Sequence, residues 1–303
     1  MNIKVIGAGA MGSLFGAMLA EAGEKVTLLD IRRDHVDAVN TRGLSIERDG
    51  RRRLVRIQAT SDAEWNGPAD LTIVFVKSIH TAAAAQTASR LAGQTGLVIT
   101  LQNGMGNADT LAAAMTPSQV IAGTTSHGAT FLEPGAICHA GVGDTIIGPW
   151  AMAGMTGAER VADRFCRAGI ATRVVDDVHS VLWAKLLVNV GINAITALTG
   201  IANGQLLDQK RTRQLSRAAV EEAMTVARAQ GITIDGDPVE KVFQVAAATG
   251  PNRSSMGQDV DNQRMTEIEA INGFIVRSAE TAGIAVPVNR TLAALVETLQ
   301  AHY

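Results

Sequence analysis

Residues 4–30 read KVIGAGAMGSLFGAMLAEAGEKVTLLD, with Gly7, Gly9 and Gly12 clustered and Asp30 eighteen residues after the last of them. Glycine costs conformational entropy on folding, so a cluster of three signals a backbone requirement. The stretch Gly7-Ala8-Gly9-Ala10-Met11-Gly12 has the G-x-G-x-x-G pattern between an apolar β-branched run and a helical one. In that setting the first glycine permits a tight turn, the second lets a pyrophosphate approach the backbone, and the third lets helix and strand pack closely. The helix that follows offers its free amides and positive dipole end to phosphate. Asp30 ends the next strand-like run, where a carboxylate accepts from adenosine ribose hydroxyls. That favours NAD, because a 2′-phosphate would meet a negative charge. Arg32 and Arg33 follow at once and offer the opposite preference, so the residues leave NADH and NADPH both open.

A second set lies in SVLWAKLLVNVGINAITALTG (180–200). This stretch is apolar nearly all round and predicts a buried helix. Lys185, Asn189 and Asn193 interrupt it at i, i+4 and i+8, on one face. An unpartnered buried polar group costs about 1–3 kcal/mol, and a lysine costs more. Three on one stripe therefore predict a facing polar cavity. Residues 254–287 predict a second helix, with Ser254 or Ser255 as its cap. Met256, Val260, Ile271 and Phe274 form its apolar stripe, and Glu267 falls inside it. A carboxylate there needs a partner, and Lys185 is the evident one. Glu269 has the weaker claim and reads as exposed.

These residues need elements to position them. Strand-like runs at 71–77 and 96–104 are almost continuously apolar, as strands are when helices cover both sheet faces. An alanine-rich helical stretch separates them, and the βαβ rhythm implies a parallel, doubly wound sheet. Residues 44–60 break the rhythm with two strands around Asp49-Gly50, a hairpin whose arginines protect a sheet edge. DTIIGP and TRVVDD read as the last strands, and beyond Asp177 long helical segments take over. The expected organisation is an α/β Rossmann-type domain over 1–176 and an all-helical domain over 177–303.

Composition narrows the function. The 303 residues carry a net charge of -2 and few aromatics, which argues against a nucleic-acid partner. No apolar run reaches ~18 uninterrupted residues, so no membrane span is expected. The chain opens directly on MNIKVIGAG without a secretory leader pattern, and a cytoplasmic protein is expected. Cys138 and Cys166 lie far apart and read as reduced thiols in the core. No His/Asp/Glu cluster has metal-ligand spacing, so no metal is expected.

Taken together, GAGAMGSLFG, VKSIHT, LQNGMGN, GTTSHGAT, WAKLLVNVGINAITALTG, SSMGQDV and TEIEAINGFIVRSAETAGIAVP resemble the ketopantoate reductases (2-dehydropantoate 2-reductases) over nearly the whole chain. The resemblance implies a Rossmann domain and a helical domain, and hydride transfer from NAD(P)H to the ketone of 2-dehydropantoate, giving (R)-pantoate on the route to pantothenate. It implies Lys185 as the general acid and Glu267 as its partner, with Asn189 and Asn193 holding the substrate's hydroxyl end. Ser255 then binds the carboxylate, while Lys77 and Asn103 contact the nicotinamide side and Asn103 also the substrate. His127 falls in a family-like stretch but reads as a core histidine. A small 2-oxo acid is the implied partner, and homodimerisation stays open. The family commonly uses NADPH with a basic residue after the second strand. Here Asp30 and Ile31 stand there, a feature that resembles NADH-linked D-2-hydroxyacid (mandelate-type) dehydrogenases of the same family.

Overall fold

The computed structural model describes residues 1–62 and 67–303. The chain divides into two compact units, residues 1–102 with 107–178, and residues 103–106 with 179–303. A single break near residue 176 does not account for segment 103–106, which packs with the second unit.

In the first unit the elements run β1 (Asn2–Ile6), α1 (Ala10–Glu21), β2 (Lys25–Leu29), α2 (Arg33–Arg42), β3 (Leu44–Arg48), β4 (Arg51–Val55), β5 (Gln58–Thr60) and β6 (Leu71–Val74). They continue with α3 (Thr81–Ala92), β7 (Leu97–Thr100), α4 (Asn107–Ala114), β8 (Val120–Thr125), β9 (Gly128–Glu133), β10 (Ala136–Gly141), β11 (Thr145–Pro149), α5 (Met155–Arg167) and β12 (Thr172–Val174). Eight strands make one sheet in the order β12-β11-β8-β7-β6-β1-β2-β5. β6, β7 and β8 are buried along their whole length, which is why their sequences read as unbroken apolar runs. The sheet is not wholly parallel, because β11 runs antiparallel to β8. The chain reaches β11 through a β-hairpin, and an antiparallel neighbour needs no helical crossover.

That hairpin belongs to a second sheet, ordered β4-β3-β10-β9. The β3–β4 turn has Asp49 at φ 50° and Gly50 at φ 71°, the two positive values that a two-residue type I′ turn requires. β4 is an edge strand whose arginines meet surface acids: Arg53 pairs with Glu21 at 3.0 Å and Arg52 with Glu47 at 3.8 Å. β10 pairs in parallel with β3, Ala136 opposite Ser45. Cys138 and Cys166 are free thiols, and Cys166 is exposed rather than in the core.

The second unit contains α6 (Val178–Thr199), α7 (Lys210–Ala229), α8 (Pro238–Ala248), α9 (Ser255–Asp261), α10 (Asn272–Ala282) and α11 (Pro287–Gln300). α6 is its spine: Trp183, Leu186, Leu187, Val190 and Ile195 share one core with Val220, Phe243, Ile275 and Val296. Despite its polar interruptions, α6 is long and apolar enough to cross a membrane by length and composition, and 61% of that stretch is buried inside the protein. The single helix expected over 254–287 is in fact broken. α9 stops at Asp261, Gln263 lies at φ 50°, and a residue in the left-handed region cannot continue a right-handed helix. A 3-10 turn at Ile268–Ala270 intervenes before α10. Met256 and Val260 therefore share no helix with Ile271 and Phe274, and Glu267 stands at the head of the turn.

Candidate functional site

Two sets of residues carry chemistry, one in each unit. In the first unit, the strand-to-helix turn from β1 into α1 is tight. Gly7 has φ 90° and donates its N–H to the Leu29 carbonyl at 2.8 Å. A Cβ at Gly12 would stand 2.0 Å from the Gly7 oxygen, so that position excludes every larger residue. Gly9 differs. Its φ of -64° suits any residue, and a Cβ there would meet nothing within 4 Å. Nothing in the protein demands glycine at position 9, whereas a group laid against the backbone would. Gly9 is also the N-cap of α1 and supplies no side-chain acceptor, so the amides of the first turn, from Ala10 and Met11 onward, have no side-chain cap. Ala8 between the glycines is buried. These features fit a dinucleotide's phosphates.

Asp30 continues from β2, donating its N–H to Thr60 at 3.1 Å. One carboxylate oxygen accepts the Arg32 amide at 2.9 Å, which fixes the side chain. It is not a helix cap, since Arg32 occupies the N-cap of α2. Arg32 turns its guanidinium to Asp34 at 3.0 Å and over the Phe131 ring, 4.4 Å from the centroid. Lys77 stands just after β6, at the start of the 3-10 turn Ser78–His80, and is half-buried. His127 is buried in this unit, with Nδ1 3.2 Å from Nε2 of His139.

In the second unit α6 carries Lys185, Asn189 and Asn193 on one face, because 3.6 residues per turn stacks i, i+4 and i+8. Burial pushes the Lys185 ammonium down to about 8, and the negative charge of Glu267 opposes that fall. Glu267 is 8% exposed, and Asn103 Nδ2 donates to its Oε2 at 3.4 Å. Asn103 arrives there because segment 103–106 is strapped to the 3-10 turn: Met105 donates to the Ala270 carbonyl at 2.8 Å. Gly104 lies at φ 80°, and a Cβ on it would strike Ala270 at 2.5 Å. Thr266, next to Glu267, bonds Gln300 of α11 through both its N–H and its hydroxyl, so the carboxylate rests on a braced backbone.

Asn193 Nδ2 donates to Ser255 Oγ at 3.4 Å. Ser254, rather than Ser255, caps α9, accepting the Gly257 N–H at 3.0 Å. Asn189 Nδ2 is buried and has no hydrogen-bond partner among the described residues. The structure thus sets Glu267 within electrostatic reach of Lys185 and within hydrogen-bond reach of Asn103, and Asn193 against Ser255. Glu269 is exposed and pairs with Arg277 at 2.6 Å. Two further contributors are absent from the sequence reading. Thr196 continues the stripe one turn beyond Asn193, its Oγ1 2.7 Å from Ser254 Oγ. Arg253 donates to the Thr196 and Ile201 carbonyls, at 2.9 and 2.8 Å, and pairs with Asp261 at 2.7 Å. The i+3 step from Asn193 was the available signal for Thr196. Nothing in the pattern marks Arg253. Among the described residues no group of three His, Cys, Asp or Glu side chains is placed to hold a metal ion.

The family profile described as "Ketopantoate reductase PanE/ApbA" matches residues 3–152, and that for the C-terminal part of the same family matches residues 177–300. The chain belongs to the ketopantoate reductase family. A 2-dehydropantoate 2-reductase from Halobacterium salinarum is 41% identical over 301 residues, covering 99% of each chain. One from Pyrococcus horikoshii is 37% identical over 98% of this chain and 97% of its own. Among solved structures, a ketopantoate reductase from Ralstonia eutropha aligns with TM-score 0.92 and 34% identity, over 100% of this chain and 99% of that one. D-mandelate dehydrogenase with NADH and anilino(oxo)acetate aligns with TM-score 0.94 and 27% identity, over 100% and 99%. Ketopantoate reductases are NAD(P)H-linked oxidoreductases that act on small 2-oxo acids. The Rossmann-type sheet and the helical second unit described above are the architecture of this family.

Proposed function

We propose that the chain reduces 2-dehydropantoate to (R)-pantoate with NADH as its preferred reductant. Hydride donation to the carbonyl carbon is the chemistry that a bound NAD(P)H supplies. Gly7, Ala8, Gly9, Ala10, Met11 and Gly12 would hold its pyrophosphate, Asp30 its adenosine ribose, and Lys77 its nicotinamide side. As the carbon is reduced, negative charge gathers on the former carbonyl oxygen. The Lys185 ammonium stabilises that charge and transfers a proton to it, leaving a hydroxyl. Glu267 keeps the ammonium charged against the cost of burial and is itself held by Asn103. Ser255 receives the substrate carboxylate, and Asn189 and Asn193 its hydroxyl end.

The observation that carries this reading is the unsatisfied Asn189 amide one turn along α6 from Lys185, whose ammonium burial pushes down and Glu267 supports. A buried donor without a partner is costly, and a polar substrate supplies the acceptor. The preference for NADH rests on Asp30, whose carboxylate is fixed by the Arg32 amide. A 2′-phosphate would meet that carboxylate. A second reading, an NADH-linked D-2-hydroxyacid dehydrogenase of mandelate type, draws on the same Asp30 and on the likeness to D-mandelate dehydrogenase.

One kinetic panel tests both readings. NADH and NADPH are crossed with 2-dehydropantoate, benzoylformate and branched 2-oxo acids, and kcat/KM is compared. The highest value with 2-dehydropantoate and NADH upholds the proposal. Preference for benzoylformate replaces it with the second reading, and preference for NADPH overturns the role given to Asp30.

A further inference from the structure

The first unit contains a buried polar relay that ends on the glycine turn. His35 in α2 and Ser13 in α1 are both 0% exposed. The Gly135 N–H, in the β9–β10 hairpin turn, donates to His35 Nδ1 at 3.0 Å. That nitrogen is therefore the acceptor, the ring proton sits on Nε2, and Nε2 lies 3.3 Å from Ser13 Oγ. Ser13 in turn donates its hydroxyl proton to the Ala8 carbonyl at 2.8 Å. Every donor along this line finds an acceptor, and the direction is fixed from the hairpin to the turn.

The two ends of the relay are anchored. Gly135 has φ 81°, and a Cβ on it would meet the Ala38 Cβ at 2.9 Å. Its carbonyl accepts the Ser45 N–H at 2.8 Å, and Arg42 donates to the neighbouring Pro134 carbonyl at 3.2 Å. The imidazole packs against Phe131, centroids 5.1 Å apart, the ring that Arg32 also covers. At the other end, Ala8 is the residue between Gly7 and Gly9, and its carbonyl orientation sets which way the following peptide plane faces. α2 also begins at Arg33, three residues after Asp30. His35 thus links the segment bearing the ribose carboxylate to the turn bearing the phosphate amides.

We propose that His35 and Ser13 are positioning residues for dinucleotide binding, holding the Ala8 peptide so that the turn presents its amides, with the β9–β10 hairpin as their anchor. The inference rests on the dinucleotide reading of the turn. It assigns a binding role to the second sheet, which the hydride chemistry does not otherwise use. Substitution at either residue loosens the turn without touching the lysine–carboxylate pair of the other unit.

The test is NADH titration by fluorescence, steady-state kinetics and thermal melting on the full chain. Ser13→Ala removes the donor to Ala8 and raises the NADH Kd about tenfold, the scale of one buried hydrogen bond, with a larger change in the KM for NADH than in kcat. His35→Gln retains a donor near the Nε2 position and binds NADH more tightly than His35→Asn, which retains only an acceptor near Nδ1. The Ser13→Ala/His35→Asn pair is less than additive, because both act through one carbonyl. Melting temperatures separate this role from simple packing: variants that melt early but bind NADH like the parent overturn the proposal. If the parent chain bound no dinucleotide at all, the reading of the turn itself would fall. If the parent binds and Ser13→Ala binds equally, only the relay falls.

Discussion

Each unit holds a lysine whose affinity for its proton is depressed to about 8, and the two come by that value differently. Lys4 lies in β1, 2% exposed, and donates to Thr27 Oγ1 at 3.1 Å. Its register neighbours across the sheet are Thr27 and Thr72. Burial lowers it, and the cation Lys25 lowers it further. Lys185 is lowered by burial alone, while Glu267 pulls the other way. The first is a charge that the sheet tolerates; the second is a charge that a partner retains. A perturbed pKa by itself marks a functional group only probabilistically. What sets Lys185 apart is its company: a buried carboxylate held by Asn103, and an amide with no partner one turn away.

The sharpest way to break this comparison is to delete each amine. Lys185→Ala lowers turnover about 10²–10⁴-fold, the usual contribution of a positioned general acid, while the NADH Kd stays near that of the parent. Lys4→Met lowers turnover by far less. Single-turnover kinetics with both variants at saturating NADH measures the two effects side by side. Equal losses would erase the distinction between the lysines.

Next in size is the pH dependence. For reduction the acid must be protonated, so kcat/KM holds level below about 8 and falls tenfold per unit above it. In the oxidative direction the neutral amine is the required base, and the limb is reversed. Glu267→Gln removes the charge that raises Lys185, so the falling limb moves to lower pH and turnover at pH 8 drops by about tenfold. Profiles of parent and variant from pH 5.5 to 9.5 show the shift, and a limb that stays in place would remove Glu267 as the partner.

Local spacing made part of this legible. The glycine turn and the stripe of Lys185, Asn189 and Asn193 are read from short periods, 3.6 for the helix and fixed offsets for the turn, and both elements form where those periods place them. Glu267 was singled out by residue type, but from a helix that the structure breaks at Gln263. Its position depends instead on a 3-10 turn, on Thr266 and on Gln300, far along the chain. Half of the second sheet, the β3–β4 hairpin, was legible at Asp49-Gly50, while β9 and β10 escaped notice for the same reason. β9 has no buried residue, and β10 is defined by pairing with β3 across a long separation. Asn103 lies beside Glu267 only because Gly104 and Met105 dock on Ala270. Long-range pairings of this kind leave no periodic trace.

The smallest expected effect concerns stability, and it returns to Lys4. An unfolded lysine titrates near 10.4, and Lys4 in the fold titrates near 8. Between those values the unfolded chain binds more protons than the folded one, so stability rises with pH across the window. Below about 8 both states are protonated, and the full cost of holding the buried cation is present. Lys4→Met removes that cost together with the rise, leaving a flatter melting temperature from pH 8 to 10. Its gain over the parent is greatest at neutral pH and shrinks as pH climbs, offset in part by the bond lost to Thr27. Lys185→Met flattens the same window by its own share, but loses the attraction of Glu267 and leaves that carboxylate buried without its cation, a costly outcome. Melting curves of the two variants across pH therefore separate the lysines again: one substitution is tolerated or stabilising at pH 7, and the other destabilises. The opposite ranking would make Glu267 a bystander and Lys4 the amine that the fold cannot do without.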